Sequence, residues 1–307
     1  MDPVAVLFNP SSGRGKSKRK RGQIEAKFNQ YGIPYKWFTS CNEAHLIELA
    51  QTAAQSFLVI IAVGGDTTFQ LIATEVLSTD TDPILTMVAT GSANDIASVL
   101  GWSELDSLCE AIRAGRDRRM DVGLLEIKGG SAKVYFIGAL SLGLGVEVNR
   151  FVAGFWRRFP LAAKGGDFMQ TVAGIFGIKD SFKYNRVPLK AKLKCARFER
   201  EMDFSLMVFA NIPSYAGGLE LTPGVTAFDG KIDCCVISSD NFLETLLIGL
   251  RARKGRHISS DNVQIISDSA FEVIFPDNSD LQYDGEIINS VKAFKVSILP
   301  AALKVLV

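Results

Sequence analysis

This 307-residue chain is poor in soft metal ligands, in long apolar runs and in net charge. Its five cysteines, Cys41, Cys109, Cys195, Cys234 and Cys235, are odd in number and show no CxxC spacing. With only His45 and His257 beside them, neither a disulfide framework nor a zinc site is indicated. Cys234 and Cys235 read as small strand residues, His257 as structural and His45 as an ordinary helix-surface residue. The longest apolar run, Phe57 to Val63, falls far short of the roughly 18 residues that a membrane span needs. Met1-Asp2-Pro3-Val4 lacks the basic-then-apolar start of a signal peptide, so a soluble, reducing, cytoplasmic setting is expected. The 34 Lys and Arg nearly cancel 33 Asp and Glu, giving a net charge of +1. That balance argues against a nucleic-acid partner. What the chain does have is apolar material: 47% hydrophobic residues exclude a disordered or collagen-like chain. At about 150 residues per domain, the length suggests two domains.

The first 120 residues alternate apolar runs with helical stretches. Val4 to Phe8 stops at the turn Asn9-Pro10-Ser11-Ser12-Gly13, and a polar helix is expected from about Lys18 to Gln30. A strand at Pro34 to Phe38 and a helix spaced through Leu46, Leu49, Ala50 and Ala53 come next. Phe57 to Val63 is continuously apolar, as in a strand buried on both faces. Ile84 to Ala89 is another strand, and Ser103 with Asp106 has capping-box-like spacing before a further helix. This alternation indicates a parallel α/β sheet. After Asp121 the rhythm changes. Val122 to Ile127 and Lys133 to Ser141 read as a hairpin about Lys128-Gly129-Gly130. Further strands are expected at Arg186–Lys194, Phe204–Ala210, Lys231–Ile237, Gln264–Ile266, Ala270–Phe275 and Val291–Leu299. Helices are confined to about Glu147–Phe176 and Phe242–Arg253. This half reads as a mostly antiparallel β domain.

Val63-Gly64-Gly65-Asp66-Thr67-Thr68 follows the buried strand directly. Ligands of open α/β sheets bind beyond the carboxyl ends of the strands. Adjacent glycines there let the backbone approach an anion, and the next helix adds a partial positive charge. An Asp at this place can hold a phosphate-bound Mg²⁺; the plainer alternative is a glycine turn with an N-cap aspartate. Thr90-Gly91-Ser92-Ala93-Asn94-Asp95 repeats the design one βα unit later, and Asn9 to Gly15 supplies a third turn on the same sheet edge. Gly15-Lys16-Ser17 imitates the end of a Walker A loop, but the glycine required six positions before the lysine is Pro10, which offers no N–H. The basic run Lys16 to Arg21 is most simply a solvated helix face, with contact to an anionic membrane as the alternative.

The order of these motifs resembles the diacylglycerol-kinase catalytic family of lipid kinases, which includes sphingosine kinases and bacterial lipid kinases. The likeness rests on Asn9-Pro10-Ser11-Ser12-Gly13, Gly64-Gly65-Asp66, Gly91 to Asp95 and Asn211 followed by Ala216-Gly217-Gly218. It continues through Pro223, Asp229 to Asp233, Gly255-Arg256-His257 and Asp284-Gly285-Glu286. It implies an α/β plus all-β protein. A three-layer nucleotide-binding domain like that of NAD kinase and phosphofructokinase would occupy residues 1–122 plus about 298–307. A β-sandwich lipid-substrate domain would occupy 123–297, with ATP in the cleft between the two. Asn9, Ser11, Gly65, Thr68, Thr90, Gly91, Ser92, Asn94 and Glu286 are the implied nucleotide contacts. Asp66 and Asp95 would organise Mg²⁺, and Asp284 would be the general base. Asp229 and the Lys231 carbonyl would form a separate structural Mg²⁺ site.

The chain departs from the family in three places. Thr67 replaces the third glycine of Gly-Gly-Asp-Gly-Thr, so crowding of the phosphates and left-handed strain on a β-branched residue are expected. Gln70-Leu71 replaces Asn-Glu, and Gly138 stands where an Asn is usual. An ATP-dependent lipid kinase is the expectation; a catalytically impaired nucleotide- or lipid-binding homologue is its competitor, and a kinase for a soluble metabolite such as NAD ranks last. Counted by segment, residues 150–200 hold 12 basic and three acidic residues, interleaved with aromatics. That composition suits peripheral contact with a membrane carrying the lipid substrate, and core helices of the sandwich would explain the same apolar residues equally well. The lipid's identity and a homodimer are left open by the sequence.

Overall fold

The computed structural model describes residues 1–91, 94–100, 104–130, 133–159, 166–184 and 186–306, with side chains except at 14–16, 18, 19, 166–168 and 170. The chain divides into two compact units, Met1–Val122 with Ala227–Gly230 and Leu299–Val307, and Gly123–Thr226 with Lys231–Ile298.

The first unit is built from β1 (Val4–Phe8), α1 (Lys16–Tyr31), β2 (Tyr35–Thr39), α2 (Glu43–Ser56), β3 (Val59–Gly64), α3 (Asp66–Leu77), β4 (Ile84–Ala89), α4 (Asp95–Leu100), α5 (Leu105–Ala114) and the start of β5 (Asp117–Ile127). Strands β2-β1-β3-β4 lie side by side, all parallel. Every residue of β1 is buried because both faces of this sheet are covered. Val4, Val6 and Phe8 pack with Ile24 and Phe28 of α1 and Leu108 and Ile112 of α5. Successive strand side chains point to opposite faces, so Ala5 and Leu7 look the other way. Three layers result. The capping box at α5 does not form: the N-cap is Glu104, without a side-chain hydrogen bond. Asp106 instead accepts from Lys27 Nζ at 2.7 Å and Tyr31 Oη at 3.0 Å, and Ser103 lies outside the described residues. His45 is more engaged than a plain surface residue, since its Nδ1 lies 2.8 Å from Cys41 Sγ.

Beyond β5, the second unit contains β6 (Lys133–Phe136), β7 (Ala139–Gly143), α6 (Leu144–Arg158), α7 (Gly166–Lys183), β8 (Leu189–Lys194), β9 (Glu199–Phe204), β10 (Leu206–Ala210), β11 (Ser214–Tyr215), β12 (Leu219–Glu220), β13 (Ile232–Ile237), α8 (Phe242–Ala252), β14 (Val263–Asp268), β15 (Ala270–Tyr283) and the first part of β16 (Glu286–Leu306), whose residues from Leu299 onward belong to the first unit. Its strands pair antiparallel in the order β14-β13-β10-β7-β15-β16. Around Ser279, β15 shifts register against β16. Its first half pairs with β8 and its last three residues with β7, so one bent strand serves two partners. The sandwich core holds Leu140, Leu142, Phe204, Phe209, Cys234, Phe271 and Phe294. On the opposite face of β7, β10 and β13, Ala139, Val208, Cys235 and Ile237 pack against Ile248 and Ala252 of α8. Cys234 and Cys235 therefore point to opposite faces, and burial pushes the Cys235 thiol up to about 12.

Two expectations change here. The run from Lys133 to Ser141 is two strands, broken at Ile137-Gly138, and the helical stretch 147–176 is two helices, α6 and α7. Among the described residues no helix is long and apolar enough to cross a membrane.

Candidate active site

In the first unit the three turns meet at the carboxyl edge of the sheet. Asn9 continues β1, its Oδ1 accepting from the Ser11 amide at 3.1 Å while its Nδ2 donates to Thr68 Oγ1 at 3.1 Å. Thr90 Oγ1 lies 3.0 Å from the buried Ser17 hydroxyl and donates to Ser12 Oγ at 3.3 Å. The two glycine turns touch: a Cβ on Gly91 would sit 2.8 Å from Gly65 Cα, so only glycine lets these backbones approach so closely. A cavity of about 370 Å³ opens here, lined by Asn9, Ser11, Ser12, Gly65, Asp66, Thr67, Thr68 and Gly91.

Asp66 opens α3 and turns towards α4, where its two oxygens accept from the Asp95 and Ile96 amides, each at 3.1 Å. Burial pushes its carboxyl above the ordinary value, against the downward pull of those amides. Asp95 is the first residue of α4. Asn94 precedes it with a left-handed backbone at φ 58° and donates from Nδ2 to the Gly91 carbonyl at 3.0 Å. Ser92 lies outside the described residues. Thr67 corrects an expectation: it is exposed, sits in the first turn of α3 and has no positive φ, so its β-branch causes no backbone strain. Gln70, on the same helix, is buried and donates to Thr74 Oγ1 at 3.3 Å.

Asp284 and Gly285 form the two-residue turn between β15 and β16, with φ of 43° and 99°. Positive φ at both positions is the mirror-image turn that Asp-Gly favours in hairpins. The Asp284 carboxylate reaches the break between β6 and β7 and accepts from the amides of Ile137 at 2.6 Å, Gly138 at 2.9 Å and Ala139 at 3.0 Å. Buried Asn211 holds the same break, its Nδ2 donating to the Ile137 carbonyl at 2.9 Å and its amide to the Gly138 carbonyl at 2.9 Å. Gly138 now has a local reason: a Cβ there would lie 2.8 Å from Asp284 Oδ1. Asn149 of α6 braces the turn from the other side, donating to the Gly285 carbonyl at 2.9 Å. Glu286 is exposed at the start of β16.

The structure also places residues that the sequence did not single out. Asp121 is buried, and its carboxylate accepts from the Gly230 amide at 2.7 Å and the Ala301 amide at 2.7 Å. It fastens two distant segments to the first unit. Beside it, Asp229 and Lys231 are exposed. Among the described residues no three or more His, Cys, Asp or Glu side chains gather into a metal cluster. His257 is buried, with Nε2 3.0 Å from the Leu221 carbonyl, and burial holds its imidazole below the usual range.

The diacylglycerol kinase catalytic domain family matches residues 3–125, and the YegS C-terminal NAD kinase beta sandwich-like domain matches residues 178–307. The chain is 25% identical over 296 residues to a diacylglycerol kinase of Bacillus subtilis (strain 168), covering 93% of this chain and 90% of the relative. It is also 25% identical over 250 residues to "Probable lipid kinase YegS" of Escherichia coli O1:K1 / APEC, covering 80% and 76%. A crystal structure of a diacylglycerol kinase from Bacillus anthracis str. Sterne matches at a TM-score of 0.71 and 13% identity, over 99% of this chain and 96% of that one, which shows the shared fold. With a three-layer first unit, a β-sandwich second unit and both halves matched in order, the chain belongs to the diacylglycerol kinase catalytic domain family of lipid kinases.

Proposed function

We propose that this protein transfers the γ-phosphoryl group of ATP to the hydroxyl of a membrane lipid, diacylglycerol or a relative of it, with Mg²⁺. The observation that carries the reading is the convergence of three turns around one cavity in the first unit, lined by backbone amides, hydroxyls and the Asp66 carboxylate. That lining suits a nucleotide phosphate, because amides and hydroxyls donate and two helices begin beside it. Asn9, Ser11, Gly65, Thr68, Thr90, Gly91, Ser92 and Asn94 would contact the nucleotide, and Glu286 is proposed as a further contact on the family resemblance alone.

The donor set fits a hard cation: Asp66 and Asp95 are oxygen ligands on adjacent turns, and the Asp95 amide is 3.1 Å from Asp66 Oδ2. Bound there, Mg²⁺ would offset the charge of the phosphates. Asp229 with the Lys231 carbonyl is proposed as a second, structural cation site. In the second unit Asp284 takes the proton from the attacking lipid hydroxyl. Three amides fix the orientation of its carboxylate, and in phosphoryl transfer positioning and charge neutralisation carry most of the catalysis. The basic, aromatic stretch 150–200 is proposed to contact the membrane, since Phe159, Phe176 and Tyr184 are about half exposed.

A competing reading, a catalytically impaired homologue, draws on Thr67 lining the cavity. Radiolabelled ATP offered with diacylglycerol, ceramide, sphingoid and prenol panels separates the two. The kinase reading expects labelled lipid from the unaltered protein, and Thr67→Gly then changes the rate by less than about tenfold. Labelled lipid only after Thr67→Gly would establish the impaired homologue, and no label with either protein would end the kinase reading.

A further inference from the structure

Residues 150–200 are the most basic stretch of the chain, but among the described residues four of their 12 cations are already held in ion pairs. Arg150 pairs with Glu147 and Asp280, Arg186 with Glu147 and Asp180, Lys190 with Asp203, and Lys192 with Glu199. Residues 201–307, by contrast, hold eight basic and 14 acidic residues, and that sum hides a local cluster. At the end of α8 and just beyond it, Arg251, Arg253, Lys254 and Arg256 are all exposed. Among the described residues none of the four enters an ion pair; Arg253 alone donates to a side chain, Thr171 Oγ1, at 3.3 Å.

The helix leading to this cluster has an uncovered apolar stripe. Leu243, Leu247 and Leu250 fall on one face at helical spacing and are 64%, 54% and 55% exposed. Ile258, in the short turn after α8, is 53% exposed. The opposite face is committed to the sandwich, with Ile248 and Ala252 buried against β10 and β13. Packing therefore cannot hide the leucines without withdrawing that face. The helix is also fixed at its start, where Asn241 Oδ1 accepts from the Leu243 amide at 2.8 Å. Glu244, the acid inside the helix, is turned to Ser239 Oγ at 2.7 Å and Asn262 Nδ2 at 2.5 Å. Exposed Asp240 precedes the helix and exposed Asp261 follows the turn, leaving the cations together at the carboxyl end. Cations near a helix end complement its dipole, but Arg253, Lys254 and Arg256 lie past the last helical residue, Ala252.

We infer that the outer face of α8, with the cationic turn that follows, docks on an anionic bilayer surface. Leucines on one side of a rigid helix and unpaired cations at its end match both parts of such a surface, the acyl boundary and the charged headgroups. The inference deepens the lipid-kinase reading and rests on it for its purpose: the enzyme would be held where its substrate lies. The surface is distinct from the 150–200 stretch.

Co-sedimentation of the full chain without nucleotide tests it, using vesicles of phosphatidylcholine alone and of phosphatidylcholine with one-third phosphatidylglycerol. The unaltered protein should pellet with the anionic vesicles and be released by high salt. Leu243→Ser/Leu247→Ser/Leu250→Ser should weaken partitioning on the order of tenfold or more, with an unchanged melting temperature. Arg251→Glu/Lys254→Glu/Arg256→Glu should remove the preference for anionic vesicles. Leu247→Ser alone serves if the triple variant melts early. Three outcomes overturn the inference: no binding by the unaltered protein, undiminished binding by the leucine variants, or loss confined to Phe159→Ser/Phe176→Ser. A leucine variant that turns a dimer into a monomer while still binding vesicles would assign the stripe to a second copy instead. Transfer to detergent-dispersed lipid distinguishes the two levels: activity without vesicle binding fails this inference alone, and vesicle binding without activity fails the kinase reading alone.

Discussion

Asp66 and Asp284 both end on backbone amides, yet they find them at very different distances along the chain. Asp66 accepts from amides 29 and 30 residues away, on the very next βα turn. Asp284 accepts from amides 145 to 147 residues away, at a break between two strands. The first unit builds its site from short-range repetition, three strand-to-helix turns placed on one edge by parallel pairing. The second builds its site from long-range closure, a hairpin turn brought against a distant strand break. Damage to the first should act locally at the cavity, whereas damage to long-range closures should act through the stability of whole segments.

Asp121 offers the largest structural test of that contrast. It belongs to the first unit but works by long-range closure, holding Gly230 and Ala301 from 109 and 180 residues away. Asp121→Ala removes two charge-assisted hydrogen bonds from part-buried amides and should cost about 2–4 kcal/mol. Urea unfolding followed by circular dichroism would show it as an earlier transition; a loss well under about 1 kcal/mol would mean that the two returning segments are held by packing alone. Gly91→Ala should have a smaller and more local effect. The new Cβ meets backbone at 2.8 Å, so the two glycine turns must separate, at a cost of about 1–3 kcal/mol. ATP affinity measured by calorimetry should fall at least about tenfold, and unaltered affinity would mean that the contact between the turns does not shape the cavity.

The gentlest probe is pH. Burial raises the Asp66 pKa in the folded state above 3.8, so its contribution to stability is greatest below that value and is lost as pH rises through the folded pKa. Relative to Asp66→Asn, the unaltered first unit should therefore gain stability as pH falls from neutral towards 3.8, then level off. Urea midpoints of the two proteins compared across that window give the answer. A difference that does not change with pH would place Asp66 in a well-solvated setting.

The same contrast explains what could be read from the sequence. Strands β1, β3 and β4 are apolar runs closed by turn residues, and their turns announce the cavity because each signal is complete within about ten residues. The Asp-Gly turn at Asp284 is equally local, and its family resemblance marks it. Its amide partners leave no local trace, because Lys133 to Ser141 is an unbroken strand-like run and only the pairing of β15 with β7 explains the interruption at Ile137-Gly138. The return of Ala227–Gly230 to the first unit depends on Asp121 and is invisible for the same reason. Charge counting failed similarly around α8. Four exposed cations there were averaged against acids that lie elsewhere in the fold, and the leucine stripe gained meaning only once Ile248 and Ala252 were seen to face the sandwich. At Thr67 the resemblance suggested strain, and the ordinary helical backbone removes it.

The proposed role of Asp284 in phosphoryl transfer from ATP to a lipid hydroxyl is open to one direct comparison. Label transferred from ATP into extracted lipid would be measured for the unaltered protein and for Asp284→Asn, alongside their unfolding transitions. Asn tolerates the left-handed backbone at this position. Its amide group opposes one of the three N–H donors, so a stability loss of about 1–3 kcal/mol accompanies the change without unfolding the protein. Transfer should fall by a factor of about 10² to 10⁴ while the variant remains folded under the assay conditions. Folded Asp284→Asn that labels lipid at the rate of the unaltered protein would contradict that role.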